Sequence, residues 1–351
     1  MRRIFLAAMI GTLFFTGCAA GETAYSQPGS VEILPASVFS QPESNSTKAS
    51  SEPEIQSQKL ESVRTESQSV SSAASSSVCL TVSSDRIRPG EFLIVRVENS
   101  EENALWARFS KVTTKIFPLI KEDGYFIGFV PLSSTTSKTG KVQILRSESG
   151  EYRIVAEKTI TFVEKAFERQ DLTVVSGSST ANAGSSDNLS DDKKVIEKAT
   201  EASVRELLFS GEFVMPVEGR ISTQYGMRRY TNGVYSSAHS GYDIAADEGD
   251  PVIAAGAGRI VYSGNLKFYG NTVIIAHGFN IFSYYNHLSV ISVETGQTVS
   301  TGEKIGEVGS TGYATGPHLH FNIQVNGVNI DPAVLIGTDD IYTQLERMIN
   351  Q

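Results

Sequence analysis

The sequence predicts a mainly β protein of two modules, a small immunoglobulin-like β-sandwich followed by a compact antiparallel β-sheet domain. Three observations predict it. Short runs of β-branched and aromatic residues recur from residue 78 to residue 335, separated by turn residues. Glycine punctuates the second half, at 256, 258, 264, 270, 278, 296, 302, 306, 309, 312 and 316, where the chain must turn tightly. Between 213 and 330 no stretch has the length and apolar spacing of an ordinary helix.

The chain starts with Arg2 and Arg3, then an apolar run from Ile4 to Phe15. As a helix that run spans about 18 Å, short of a bilayer core of about 30 Å. Residues 1–17 therefore read as a signal peptide rather than a membrane span. The run closes on Phe15-Thr16-Gly17-Cys18, which resembles a bacterial lipobox with Phe15 where leucine is usual. That resemblance implies lipidation of Cys18 and a membrane anchor. Ordinary cleavage between Gly17 and Gly21, with loss of Cys18, is the alternative. Either way the protein is exported, to the periplasm or cell envelope. The only other cysteine is Cys79, so no disulfide framework exists, and with Cys18 lipidated Cys79 is expected to be a buried apolar residue.

Residues 18–77 are rich in Ser, Glu, Gln and Pro. They hold too few apolar groups to offset the entropy of ordering, which marks a disordered tether that supplies reach. Residues 78–175 form the β-sandwich, with Phe92–Val97, Tyr125–Val130 and Lys141–Leu145 as strands and Pro89-Gly90, Asp123-Gly124 and Ser149-Gly150 as turns. This module has no histidine and reads as a spacer or docking unit. Residues 176–212 are a linker, flexible over 176–187, with one helix over about 190–209. Ser190 is its expected N-cap, Asp191 and Asp192 suit its first turn, and Ile196, Ala199, Leu207 and Leu208 form its apolar face. Residues 213–335 are the second β domain and 336–351 a tail.

The formal net charge is -9, from 30 basic and 39 acidic side chains. No basic stripe is present, which excludes a nucleic-acid binder. Residues 213–335 hold nine acidic and six basic side chains, so charge steering is weak there and the shape of a groove must select the ligand.

All five histidines, His239, His277, His287, His318 and His320, lie in the second domain. In an extended chain, side chains four apart share a face. In His239-Ser240-Gly241-Tyr242-Asp243 an imidazole and a carboxylate can then meet one ion, with Gly241 between them offering no obstruction. In His318-Leu319-His320 both imidazoles share a face and Leu319 points into the core. Two His and one Asp make a three-ligand zinc set with an open fourth position, as in catalytic rather than structural sites. A single histidine is more often a polar surface or core residue, and His277, at a strand end, is read that way. Spacing alone leaves His287 undecided.

The ordered segments Tyr225-Gly226-Met227-Arg228-Arg229, His239-Ser240-Gly241-Tyr242-Asp243, Gly249-Asp250-Pro251-Val252, Gly270-Asn271-Thr272-Val273, Tyr285-Asn286-His287-Leu288 and Thr315-Gly316-Pro317-His318-Leu319-His320 together resemble the lysostaphin/LytM-type zinc metallopeptidases. The resemblance covers about residues 213–335. It implies one zinc ion per chain held by His239, Asp243 and His320. His287 and His318 match the two active-site histidines that do not bind the metal. It implies hydrolysis of peptide bonds in bacterial peptidoglycan, with His318 as general base and His287 hydrogen-bonded to the oxyanion. The protein is expected to act as a monomer. Some members lack ligands and activate other hydrolases; here no ligand or catalytic histidine is missing. Phe279-Asn280-Ile281-Phe282 departs from the small glycine-containing turn usual at that point. A third reading, a lipoyl-type carrier hairpin around Lys304, is disfavoured because Lys304 precedes a strand rather than capping a hairpin tip.

Overall fold

The computed structural model describes residues 78–350 apart from 111, 114, 135–139, 174–182, 202–206, 210 and 338–339. The expected signal peptide, the Cys18 anchor and the tether over 18–77 lie outside the described residues.

The expected mainly β architecture is present. The front module packs two sheets face to face. One runs in the order Cys79–Val82, Phe92–Glu98, Tyr125–Pro131, Ile120–Lys121; the other in the order Arg86–Ile87, Glu151–Phe162, Gly140–Glu148, Trp106–Phe109, Phe117–Pro118. Val95, Val97, Ala107, Phe109, Val130, Val142 and Ile144 fill the space between them. Cys79 departs from expectation: it is exposed at the start of its strand. The strand's inward positions are taken by Leu80 and Val82, which pack on the sandwich core, so Cys79 falls on the outer side.

The second domain is built on an antiparallel sheet. The strands that position the site are β1 (Arg220–Thr223), β2 (Arg228–Thr231), β3 (Val234–Ala238), β4 (Tyr242–Ala245), β5 (Gly258–Leu266), β6 (Gly270–Gly278), β7 (Ile281–Leu288), β8 (Thr298–Val299), β9 (Leu319–Val325) and β10 (Val328–Ile330); Pro251–Ile253, Lys304–Glu307 and Val290–Ile291 form a further three-stranded sheet. The main sheet runs β1-β4-β9-β7-β6-β5-β8, with β10 paired to β9, while β2 and β3 form a separate hairpin. In β9, Leu319, Phe321, Ile323 and Val325 alternate into the core at 0% exposure. That period of two leaves His320 and Asn322 on the opposite face. The departure at Phe279-Asn280 is a two-residue turn joining β6 to β7, with φ of +50° and +59°. Both turn residues have positive φ, as in the type I′ turns that follow strand twist, and Gly278 precedes them at +92°.

The helix is shorter than expected. α1 spans Ser186–Thr200, its N-cap is Ser185 and not Ser190, and the Ser185 side chain accepts from the Asn188 amide. Ser190 sits inside the helix, and Leu207 and Leu208 lie beyond its end. The tail contains a second helix, α2 (Asp340–Ile349), with Leu345 and Met348 buried.

The front module is more than a spacer. Phe92, Ile94, Ile127 and Phe129 belong to the same core as Phe279, Ile323, Val325 and Ile330. Arg96, 6% exposed, lies over the Tyr125 ring at 4.0 Å and donates to the carbonyls of Met348 and Ile349, where a cation offsets the helix C-terminus. The strand Arg169–Leu172, counted with the sandwich in the sequence, pairs in parallel with β2 and so extends the hairpin of the second domain.

Candidate metal centre and active site

β4 and β9 pair so that Asp243 stands directly opposite His320. His239 follows β3 and is held by backbone bonds on both sides, its N–H donating to Met227 O and its carbonyl accepting from Gly226 N, each at 2.9 Å. Three side-chain atoms then converge. His239 Nε2 lies 2.9 Å from Asp243 Oδ1 and 3.1 Å from His320 Nδ1, and His320 Nδ1 lies 2.7 Å from Asp243 Oδ1. Among the described residues this is the group of metal-ligating side chains close enough to hold one ion. Gly241 is required for a reason other than the one spacing suggested. A Cβ there would sit 2.1 Å from Phe321 O and 2.7 Å from Asn322 Cα, inside the backbone of β9.

The donor set fits zinc. With zinc–ligand bonds of about 2.0–2.1 Å, the edges of a tetrahedron measure roughly 3.3 Å. The triangle found is slightly tighter. His239 Nδ1 is 3.0 Å from Gln224 O, a group that only accepts, so the proton sits on Nδ1 and Nε2 offers its lone pair. His320 Nε2 has Ser240 Oγ at 3.1 Å as a partner, which allows Nδ1 to do the same. Burial above all pushes His239 down to about 4. Burial pulls the Asp243 carboxyl upward, but its contacts with His239 and His320 outweigh that and hold it well below the usual range. Neutral imidazole and ionised carboxylate are the states a cation takes. Asp243 Oδ2 accepts from Arg229, whose Nε donates to Gln170 Oε1 at 2.8 Å, and Gln170 Nε2 donates to Thr223 Oγ1 at 3.1 Å.

His287 and His318 border this triangle, with ring centroids 4.9 Å apart. His318 Nδ1 donates to Gly316 O at 2.8 Å, and its Nε2 lies 3.9 Å from Asp243 Oδ1. His287 is the penultimate residue of β7 and has φ +65°, with Nδ1 donating to Thr311 O at 2.8 Å and a centroid 6.1 Å from that of His320. Burial, then the neighbouring His320 and His318, push it down to about 3, so it is neutral. His277 stands apart, fully buried between Ala257 O at 2.8 Å and Ser283 Oγ at 2.7 Å. The sequence reading gives no role to Arg229, which it quotes only within a resembling segment, and does not single out Gln170. Neither has a spacing relation to Asp243, and Gln170 reaches it only through the Arg169–Leu172 pairing.

Thr113, Lys115 and Ser134 of the front module line a cleft of about 460 Å³ together with His239, Ser240 and Asn329. Of the five candidate site side chains, His239 lines that cleft. A buried His-Asp-His cluster with two further histidines beside it could hold one metal ion next to two groups able to move a proton. Residues 237–332 match Peptidase family M23, and the chain carries an M23 domain of the LytM/lysostaphin type over that stretch. The DD-carboxypeptidase/endopeptidase Mpg of Neisseria meningitidis is 35% identical over 158 residues, covering 45% of this chain and 34% of that protein. The peptidoglycan DD-endopeptidase ShyA of Vibrio cholerae is 43% identical over 109 residues, covering 31% of this chain and 25% of that protein. The solved catalytic domain of lysostaphin from Staphylococcus simulans is 34% identical, covers 33% of this chain and 90% of that one, and has a TM-score of 0.30. The chain thus spans about a third or less of the length of these two curated relatives. All five candidate site residues fall within the M23 match, whereas Arg229, Gln170 and α1 fall before it.

Proposed function

We propose that this protein is an exported zinc metalloendopeptidase that hydrolyses peptide bonds in bacterial peptidoglycan. The observation that carries the proposal is the convergence of His239 Nε2, Asp243 Oδ1 and His320 Nδ1, with His287 and His318 alongside, inside an M23 domain. A zinc ion bound there would supply Lewis acidity to the scissile carbonyl and acidify a water molecule.

The chain's own residues do the rest. His318, tied at Nδ1 to Gly316 O, keeps a lone pair on Nε2 and serves as general base, taking the proton of the attacking water and returning it to the leaving amine. His287 needs a finer account than the sequence offered. Its Nδ1–H is committed to Thr311 O, so in the neutral ring Nε2 accepts rather than donates. It can hydrogen-bond the oxyanion only as the imidazolium, holding on Nε2 the second proton of the attacking water, the one His318 does not take, until that proton leaves with the product amine as its ammonium. Arg229 occupies Asp243 Oδ2 and leaves Oδ1 for the ion.

Cell-envelope placement follows from the signal-peptide pattern of residues 1–17, and a lipid on Cys18 would tether a monomeric enzyme near its substrate. Newly exposed amino termini would be counted after purified peptidoglycan is incubated with the zinc-loaded chain. His320→Ala should lose both zinc and cleavage, while His318→Ala should keep zinc and lose cleavage. Zinc bound normally with no amino termini released by any form would favour a wall-binding or hydrolase-activating module instead.

A further inference from the structure

Helix α1 precedes the M23 stretch and has no part in the chemistry above. Its Asp192 is nevertheless only 3% exposed. A carboxylate is costly to bury unless hydrogen bonds replace its water. Here three backbone amides of the turn joining β5 to β6 do so: Lys267 N donates to Oδ1 at 3.0 Å, and Phe268 N and Tyr269 N donate to Oδ2 at 2.6 and 3.3 Å. Bonds of this charge-assisted kind are the stronger sort.

From that turn the bonds lead to His287. Tyr269 O accepts the His287 backbone N–H at 2.9 Å. Gly270 is pressed on Thr311, where a Cβ would meet Thr311 O at 2.4 Å. Asn271 N donates to Thr311 Oγ1 at 2.9 Å, and Thr311 O is the group that fixes His287 Nδ1. The start of α1 touches the other side of the same frame. A Cβ on Gly184 would lie 2.5 Å from the Tyr313 ring, and Tyr313 N donates to Phe268 O at 2.7 Å. His287 itself holds φ +65°, a conformation that a residue other than glycine keeps only when its surroundings impose it.

We infer that Asp192 is a positioning residue, and that α1 is a clamp which fixes the backbone and ring of His287 through the turn 267–269 and Thr311. The inference rests on the reading of His287 as an active-site group. It predicts a division of labour: the proposed metal ligands sit on β4, on β9 and just after β3, so loosening the clamp should spare them.

The test uses Asp192→Ala and Asp192→Asn in the full chain, with kcat and KM on peptidoglycan peptides, zinc affinity by chelator competition, and amide exchange at His287. For Asp192→Ala, kcat should fall on the order of 10- to 100-fold, as for displaced catalytic groups. KM should stay within about twofold, the pattern of an interaction felt only in the transition state. Zinc affinity should be unchanged, and the His287 amide should exchange faster. Asp192→Asn, which keeps the shape and one accepting oxygen, should show smaller changes in the same direction and replaces the alanine variant if that does not fold. Wild-type kcat and wild-type exchange in a folded variant would overturn the proposal, as would loss of zinc in step with kcat. If the wild-type chain cleaves nothing, the proposed function fails, and exchange at His287 still decides whether the clamp exists.

Discussion

Substituting Gly241 by alanine should damage the proposed metal centre without touching a proposed ligand. The added Cβ would lie 2.1 Å from Phe321 O, 2.6 Å from Asn322 Cβ and 2.7 Å from Asn322 Cα. A carbon and an oxygen rest at about 3.3 Å, so β4 and β9 must separate by roughly 1 Å. Two residues on, Asp243 faces His320 across that same pairing, and the three ligand atoms lie only 2.7–3.1 Å apart. Metal sites tolerate distance errors of about 0.2 Å. Zinc affinity should therefore fall by at least the roughly 10- to 100-fold seen when support around ligands is lost. The metal-free protein should also lose about 1–3 kcal/mol, the usual cost of overpacking. Chelator competition measures the first effect and urea unfolding the second. Gly316→Ala is the matched control, because a Cβ there meets nothing within 4 Å. Wild-type zinc affinity in Gly241→Ala would refute the reasoning, since the pairing of β4 with β9 could not then be what brings Asp243 to His320.

Other outcomes are expected elsewhere. Burial pushes His277 down to about 4, with the Ala257 carbonyl opposing it. The unfolded chain binds a proton below its ordinary 6.5 while the folded chain does not, so His277 lowers stability as pH falls from about 6.5 to 4, by about 1.4 kcal/mol per pH unit. In His277→Gln that share of the slope should vanish in urea titrations of the metal-free protein; an unchanged slope would contradict the burial argument. Arg229→Met should weaken zinc binding by about tenfold, because Asp243 loses the partner that fixes its free oxygen, and Arg229→Lys should fall between. Arg96→Met should cost about 1.5–3 kcal/mol, the worth of bonds from a charged group, and speed amide exchange over 345–350 while leaving cleavage intact.

Legibility in the sequence followed the range of the physics. Turn residues and the period of two are local signals, and they marked the sandwich strands, the β domain and the inward face of Leu319. Side chains that share a strand can be paired by counting, which brought His318 near His320. His239 and Asp243, by contrast, sit on either side of a bend at Gly241, Asp243 held by its register with β9 and His239 by backbone bonds to Gly226 and Met227, so they do not meet by spacing alone. The partners that order the site were hidden for the same reason. Gln170 reaches Arg229 from before the M23 stretch, and Asp192 looked like a first-turn residue suited to the helix dipole, although its oxygens are aimed at a turn 75 residues away. Ser190 misled because serine near acidic residues resembles a cap; the chain has Ser185 available one turn earlier, and that residue caps instead.

The most direct test of the central claim is mass analysis of the soluble products when purified peptidoglycan is treated with the zinc-loaded chain, with a chelated sample and a zinc-restored sample in parallel. The account predicts fragments with new free amino groups and intact glycan bonds, absent after chelation and recovered when zinc is returned. Release of new reducing sugar ends, or cleavage that continues undiminished without zinc, would contradict it.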